Sequence, residues 1–159
     1  MLIRTAKLFG AAIGIMGCMQ LAVAQCRKAK DEDIPHGANE FILVDEGMIR
    51  RVHGMAFFRN VAFESGREPV KDIVVEVYIY SGSDSYQDVN KVLGMKKRVA
   101  ACVTEDDGKF SFPTFKPGRY LLRAGTREHD QFNELYIILK LDPKRGDNKE
   151  LEIVLKPGT

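Results

Sequence analysis

From Val52 onward the chain alternates apolar and polar positions at a spacing of two, and no helix of ordinary length keeps a period near 3.6. Ile73, Val75, Val77 and Ile79 alternate with Val74, Glu76, Tyr78 and Tyr80, so one face of that strand is assigned to a core and the other faces away. The same grammar recurs in the Phe-rich run from Val52 to Phe63, in Arg98 to Thr104, and in Phe110 and Phe112 around Ser111. It returns in Tyr120, Leu122 and Ala124, in Leu135, Ile137, Leu139 and Leu141, and in Leu151, Ile153 and Leu155. Turn residues separate these runs. Asp107-Gly108 is expected to form a type I′ hairpin turn, in which both central residues take positive φ, and Lys116-Pro117-Gly118 to form a second turn. Ser65 to Pro69 is expected to be a turn as well. About seven short strands with turns between them predict an antiparallel β-sandwich. Phe110, Phe112, Phe115, Tyr120 and Leu122 are expected to fill one end of its core.

Around Cys102, the alternation is taken to put Val99, Ala101 and Val103 on the core and Cys102 on the opposite side. Upstream, residues 25–51 read as a polar, mobile lead in which Phe41 to Val44 is a short strand or a strap.

The N-terminus bears on compartment. Arg4 and Lys7 precede an apolar run from Leu8 to Met16, and the segment ends in Ala22-Val23-Ala24. A basic start, a short apolar middle and an Ala-x-Ala end describe a secretory signal peptide over residues 1–24, cleaved after Ala24. The alternatives are an uncleaved anchor or lipidation at Cys18. Export implies a secreted, periplasmic or envelope protein with no membrane span after cleavage. The whole chain carries 24 Lys and Arg against 22 Asp and Glu; without Arg4 and Lys7 the balance is 24 − 2 = 22 against 22, net zero. Mixed charge without a basic block argues against a nucleic-acid partner. In an oxidising compartment the two remaining cysteines, Cys26 and Cys102, are a candidate disulfide; the alternative is two separate thiols, with Cys102 packed as a small hydrophobe.

His53-Gly54-Met55, Arg67-Glu68-Pro69-Val70, Val75-Glu76-Val77, Thr104 through Gly108-Lys109-Phe110-Ser111-Phe112, and Pro117-Gly118-Arg119-Tyr120-Leu121-Leu122 follow one another in order. In that order and spacing the chain resembles the carboxypeptidase regulatory-like domain, a transthyretin-like (prealbumin-like) sandwich, over about Val52 to Lys156. The resemblance implies a seven-stranded antiparallel Greek-key domain spanning 52–157 and an accessory rather than a catalytic role. The opening strand is more aromatic than the family pattern, and the segment from Ser81 to Lys97 is longer.

Candidate chemistry is sparse. His36, His53 and His129 stand in no His-Glu-x-x-His frame, and no Cys-x-x-Cys, Gly-rich phosphate loop or Gly-x-Ser-x-Gly elbow occurs. His53 is read as solvent-facing. Glu105-Asp106-Asp107 reads as a calcium-chelating loop or a charged turn tip, and Glu128-His129-Asp130 as a metal-binding or plain polar loop. No catalytic, cofactor-binding or metal residue is assigned, no cofactor is expected, and no enzymatic activity is expected. Two surfaces are candidates for recognition. One is the insertion Ser81–Lys97, either functional or packed on its own domain. The other is the non-core face of the sheet, where Tyr78, Tyr80 and Tyr136, together with Tyr86 of the insertion, are candidate contacts, unless Phe41 to Val44 lies across that face. The expectation is a non-catalytic interaction module whose partner is an envelope or extracellular protein; the alternative is a carbohydrate-binding module presenting exposed tyrosines to a polysaccharide.

Overall fold

The structure, a computed structural model, describes residues 26–30, 41–59, 66–82, 98–126 and 134–156. These residues form ten strands and no helix: β1 (Arg27–Lys28), β2 (Phe41–Ile49), β3 (His53–Arg59), β4 (Arg67–Pro69), β5 (Ile73–Ile79), β6 (Arg98–Val103), β7 (Lys109–Ser111), β8 (Gly118–Thr126), β9 (Glu134–Leu141) and β10 (Leu151–Leu155). Seven of them, β3 and β5 to β10, lie on the seven alternating runs. Residues 1–24, read as a signal peptide, with Cys18 among them, and His36, His129, Tyr86 and most of the Ser81–Lys97 insertion lie outside the described residues.

One sheet has six strands in the order β1-β6-β5-β8-β9-β2; in the other, β10, β3 and β4 are neighbours and β7 also pairs with β3. β10 runs along β3 from Gly54 to Phe58, so β4 (at Phe57–Arg59) and β7 (at His53–Met55) share the opposite edge, one after the other. At Gly54 the backbones close so tightly that a Cβ would stand 2.0 Å from the Leu151 carbonyl oxygen; only glycine fits this crossing. The inner faces of the two sheets share one core. Ile73, Val75, Val77, Leu122, Ala124, Ile137 and Leu139 come from the first sheet, and Ala56, Phe110, Leu151, Ile153 and Leu155 from the second. The aromatic end of the core is as expected. Phe110, Phe112, Phe115 and Tyr120 stand in succession with centroids 6.4, 6.1 and 5.4 Å apart, and the Tyr120 hydroxyl donates to the Lys116 carbonyl at 2.9 Å.

Several expectations are corrected. The sheets are mixed rather than wholly antiparallel, because β2 pairs with β9 and β3 with β10 in parallel. A period of two is the same for either direction, so the pattern alone does not distinguish them. The run at Phe41 is not a strap across a face but the start of a nine-residue edge strand in register with β9, Val44 opposite Ile137. Arg67–Pro69, read as part of a turn, is a short edge strand, where proline's missing N–H costs no ladder bond.

Asp107-Gly108 does not close a hairpin, because β6 belongs to the first sheet and β7 to the second. It is the bend that carries the chain between layers. Gly108 alone takes positive φ (67°); its N–H donates to Glu105 at 2.9 Å, and its carbonyl accepts from Ala56 at 2.8 Å. A Cβ there would meet the Ala56 oxygen at 2.6 Å. His53, read as solvent-facing, is buried. The phase of β6 is also reversed. Cys102 pairs with core residue Val75 and lies in the core, while Val99 is 41% exposed. Ala100 pairs with Val77 but Arg98 with Tyr78, so Val99 is the extra residue of a β-bulge.

Candidate functional site

Two features stand out on the six-stranded sheet, a sealed ion cluster on its outer face and a groove along the β6 edge.

The ion cluster follows from strand alternation. Glu76 and Tyr78 of β5, Arg123 of β8, and Glu134 and Tyr136 of β9 all point away from the core, and the strand order places β8 in the middle. Arg123 therefore sits between two carboxylates. Its Nε and Nη2 donate to Glu134 at 3.0 and 2.5 Å, and its Nη1 donates to Glu76 at 3.2 Å. The Tyr136 hydroxyl donates to Glu134 at 2.6 Å, the Tyr78 hydroxyl to Glu76 at 2.9 Å, and Arg98 to Glu76 at 3.1 Å. Two cations and two anions balance, and each of these ion pairs is also a hydrogen bond, the condition under which buried charge is tolerated. Burial alone would lower the Arg123 pKa, but the hydrogen bond and charge of Glu134, with smaller contributions from Tyr136 and Glu76, hold it above the ordinary arginine value. Burial, then the neighbouring carboxylate, pushes both phenols well above the usual tyrosine range. Glu76 is 1% exposed and Glu134 5%, so no substrate reaches either carboxylate in this conformation.

The candidate tyrosines belong to this buried layer. Tyr78, Tyr80 and Tyr136 cluster with Leu121 and Ile138 and are 5%, 3% and 3% exposed. They form no open aromatic platform; Tyr80 instead carries the Arg119 guanidinium 5.2 Å from its ring centroid.

Cys26 and Cys102 are joined in a disulfide, with Cα atoms 5.6 Å apart. The bridge pins β1 to the end of β6, where Arg27 faces Val103 and Lys28 faces Cys102, and Ala29 adds one main-chain bond to Ala101 at 3.3 Å. Beside it lies a groove of about 640 Å³, within the range of ligand clefts. Val99, Ala100 and Ala101 of β6 line it from one sheet, and Ser111 to Thr114, leaving β7, from the other. Lys28 and Arg51, both exposed, add its charge, and among the described residues no acidic one lines it. Among the described residues no ion pair engages either cation.

The remaining candidates are not brought together. Asp107 accepts the Lys109 N–H at 3.0 Å and lies 3.4 Å from its ammonium, and Asp106 faces Lys71 at 3.7 Å, so these acids serve a charged turn. Among the described residues no three His, Cys, Asp or Glu converge as metal ligands, and no helix is long and apolar enough to cross a membrane.

No family model and no curated protein matches the chain.

The ion cluster was not anticipated, though its signal was present. Glu76 and Arg123 each interrupt an apolar strand at a non-core position, and opposite charges in that setting call for a shared partner. The groove has no such signal, being made of alanines, main chain and a segment from the other sheet.

Proposed function

We propose that this chain is a non-catalytic interaction module of the carboxypeptidase regulatory-like type, secreted or held at the cell envelope, whose partner is an envelope or extracellular protein. The observation that carries the reading is the groove beside the Cys26–Cys102 bridge. It offers strand-edge main chain, small apolar side chains and two cations, and among the described residues no histidine or carboxylate lines it to activate the Ser111 or Thr114 hydroxyl, a composition that favours recognition. The ionisable groups that do converge are consumed by one another in a sealed layer. The disulfide supports an exported protein, since such bonds persist in oxidising compartments. The family reading is supported by strand positions: Thr104 to Phe112 leads from β6 through β7, and Pro117 to Leu122 enters β8. A carbohydrate-binding role through tyrosines has no support from Tyr78, Tyr80 or Tyr136, whose rings are covered.

The test is affinity capture on immobilised Gln25–Thr159 from solubilised envelope protein and, separately, on insoluble polysaccharides. Each captured protein is identified, purified and re-bound in solution. Saturable binding of one purified protein is the expected result. Retention on polysaccharide alone, or turnover of a bound molecule, overturns the reading.

A further inference from the structure

We infer that the groove takes an extended peptide segment carrying a carboxylate, which adds as a strand to the β6 edge and sets its acid against Lys28 and Arg51. The inference rests on the interaction-module reading and names the partner chemistry of the same site.

The β6 edge supplies the main-chain half. β1 covers this edge only at Cys102 and Val103, with one further bond at Ala101; among the described residues no strand pairs with Ala100 or Val99 on that side. Past Ala101 this part of the β6 ladder has no partner strand among the described residues, and an added chain would continue it by β-strand addition. The bulge at Val99 bends this edge and leaves its side chain 41% exposed, on the lining of the groove.

The side-chain half comes from both sheets. Lys28 faces Cys102 across β1 and β6, so both point to the same side of the sheet, the side on which Cys102 meets the core. A strand laid along the edge turns every second side chain towards that side. Those residues would meet Val99, Phe112 and the disulfide, with Lys28 and Arg51 bordering them. Two cations, with no acid among the described lining residues, select a carboxylate over an amine. An all-apolar segment would forgo the attraction to both cations, and a basic one would be repelled.

The test uses oxidised Gln25–Thr159 and three fluorescein-labelled, end-capped hexapeptides read by anisotropy. The first, Thr-Val-Thr-Val-Thr-Asp, places two valines and the acid on one strand face. The second ends in Lys. The third is the Asp peptide with both valines N-methylated, which deletes main-chain donors. The Asp peptide is expected to bind at least about tenfold more tightly than either other, with its preference over the Lys peptide shrinking as salt is raised. The doubly reversed variant Lys28→Glu/Arg51→Glu, checked for native circular dichroism, is expected to prefer the Lys peptide. Equal binding of the three, or no binding of the Asp peptide up to about 1 mM, overturns the inference. If that failure coincides with a purified envelope partner that binds the reversed variant as well as wild type, the groove is not the site and the module reading survives. If the Asp peptide binds as expected but no envelope protein is captured, the groove chemistry stands and the module reading falls.

Discussion

Replacing Arg123 by methionine removes the cation shared by Glu76 and Glu134 while keeping most of the side chain's apolar stem. The two carboxylates are not equally affected. Glu76 retains Arg98 at 3.1 Å and the Tyr78 hydroxyl at 2.9 Å, whereas among the described contacts Glu134 keeps only the Tyr136 hydroxyl at 2.6 Å. Breaking a buried pair by removing one partner costs about 3–5 kcal/mol, because it leaves an uncompensated buried charge. With Arg98 still serving Glu76, the lower part of that range, about 3 kcal/mol, is the expectation. Adding Glu134→Gln to Arg123→Met is expected to recover about 1 kcal/mol or more at pH 7, since contacting residues couple by about 0.5–3 kcal/mol. The assay is urea unfolding of Gln25–Thr159 at pH 7 followed by far-ultraviolet circular dichroism, at matched m-values. A loss below about 1 kcal/mol at pH 7 refutes the reasoning, because the cluster would then be no more than a surface ion pair.

Three further outcomes follow from the same structure. Replacing both Cys26 and Cys102 by serine opens a crosslink that spans 76 residues; the chain-entropy model puts the loss at about 4.5 kcal/mol, read as a lower urea midpoint that reductant no longer shifts, and an unchanged midpoint contradicts it. Gly54→Ala places a Cβ against the Leu151 main chain and is expected to cost more than about 3 kcal/mol or abolish soluble folded protein, whereas a change within about 0.5 kcal/mol would show that β3 and β10 do not approach so closely. Tyr78 and Tyr136 have folded pKa values raised above the unfolded value, so the stability they contribute is complete below about pH 10 and falls above it, by up to about 1.4 kcal/mol per pH unit for each ring; two tyrosines should resist ionisation in the tyrosinate absorbance until the protein unfolds, and titration of all five near pH 10 in the folded state would contradict this.

The sequence was most legible where a charge broke the tie between the two strand faces. Glu76 in β5, Arg123 in β8, Lys140 in β9 and Glu152 in β10 each mark the non-core side, and in all four strands the assigned core residues from Ile73 to Val77, Tyr120 to Ala124, Leu135 to Leu141 and Leu151 to Leu155 are where alternation puts them. In Val99-Ala100-Ala101-Cys102-Val103 every position is apolar, so alternation selects no phase, and the bulge at Val99 shifts it by one. Ile79 fails for a different reason: it ends β5 beyond the reach of the other sheet and is 47% exposed. The parallel pairings of β2 and β10 depend on where the chain returns after a crossover, which no local pattern records. Of the candidate site, cysteine counting reached the disulfide. The groove beside it depends on bringing β6 alongside Ser111 to Thr114, a tertiary relation between two sheets.

The burial of both faces at the centre of the large sheet decides where recognition has room to occur. Along β5, β8 and β9 the inner face holds Val75, Leu122 and Ile137, the outer face holds Tyr78, Leu121 and Ile138, and all are almost wholly buried. Parallel-sheet proteins bury both faces with crossover helices, but here no helix occurs among the described residues and the pattern reads apolar on one face and mixed on the other. The outer layer therefore needs its internal ion cluster: Arg123 and the two glutamates satisfy one another without solvent, which an ordinary half-exposed sheet would not require. A sheet used on both sides is left with its edges. One edge strand, β2, runs nine residues beside β9; the other, β1, is only two residues long and depends on a covalent bond to stay in place. A two-residue strand contributes too few main-chain bonds to order itself against chain entropy of about 1–2 kcal/mol per residue. The disulfide thus does more than lower the entropy of the unfolded chain. It fixes how much of β6 is capped by β1, and so where, among the described residues, the unpaired part of that edge begins.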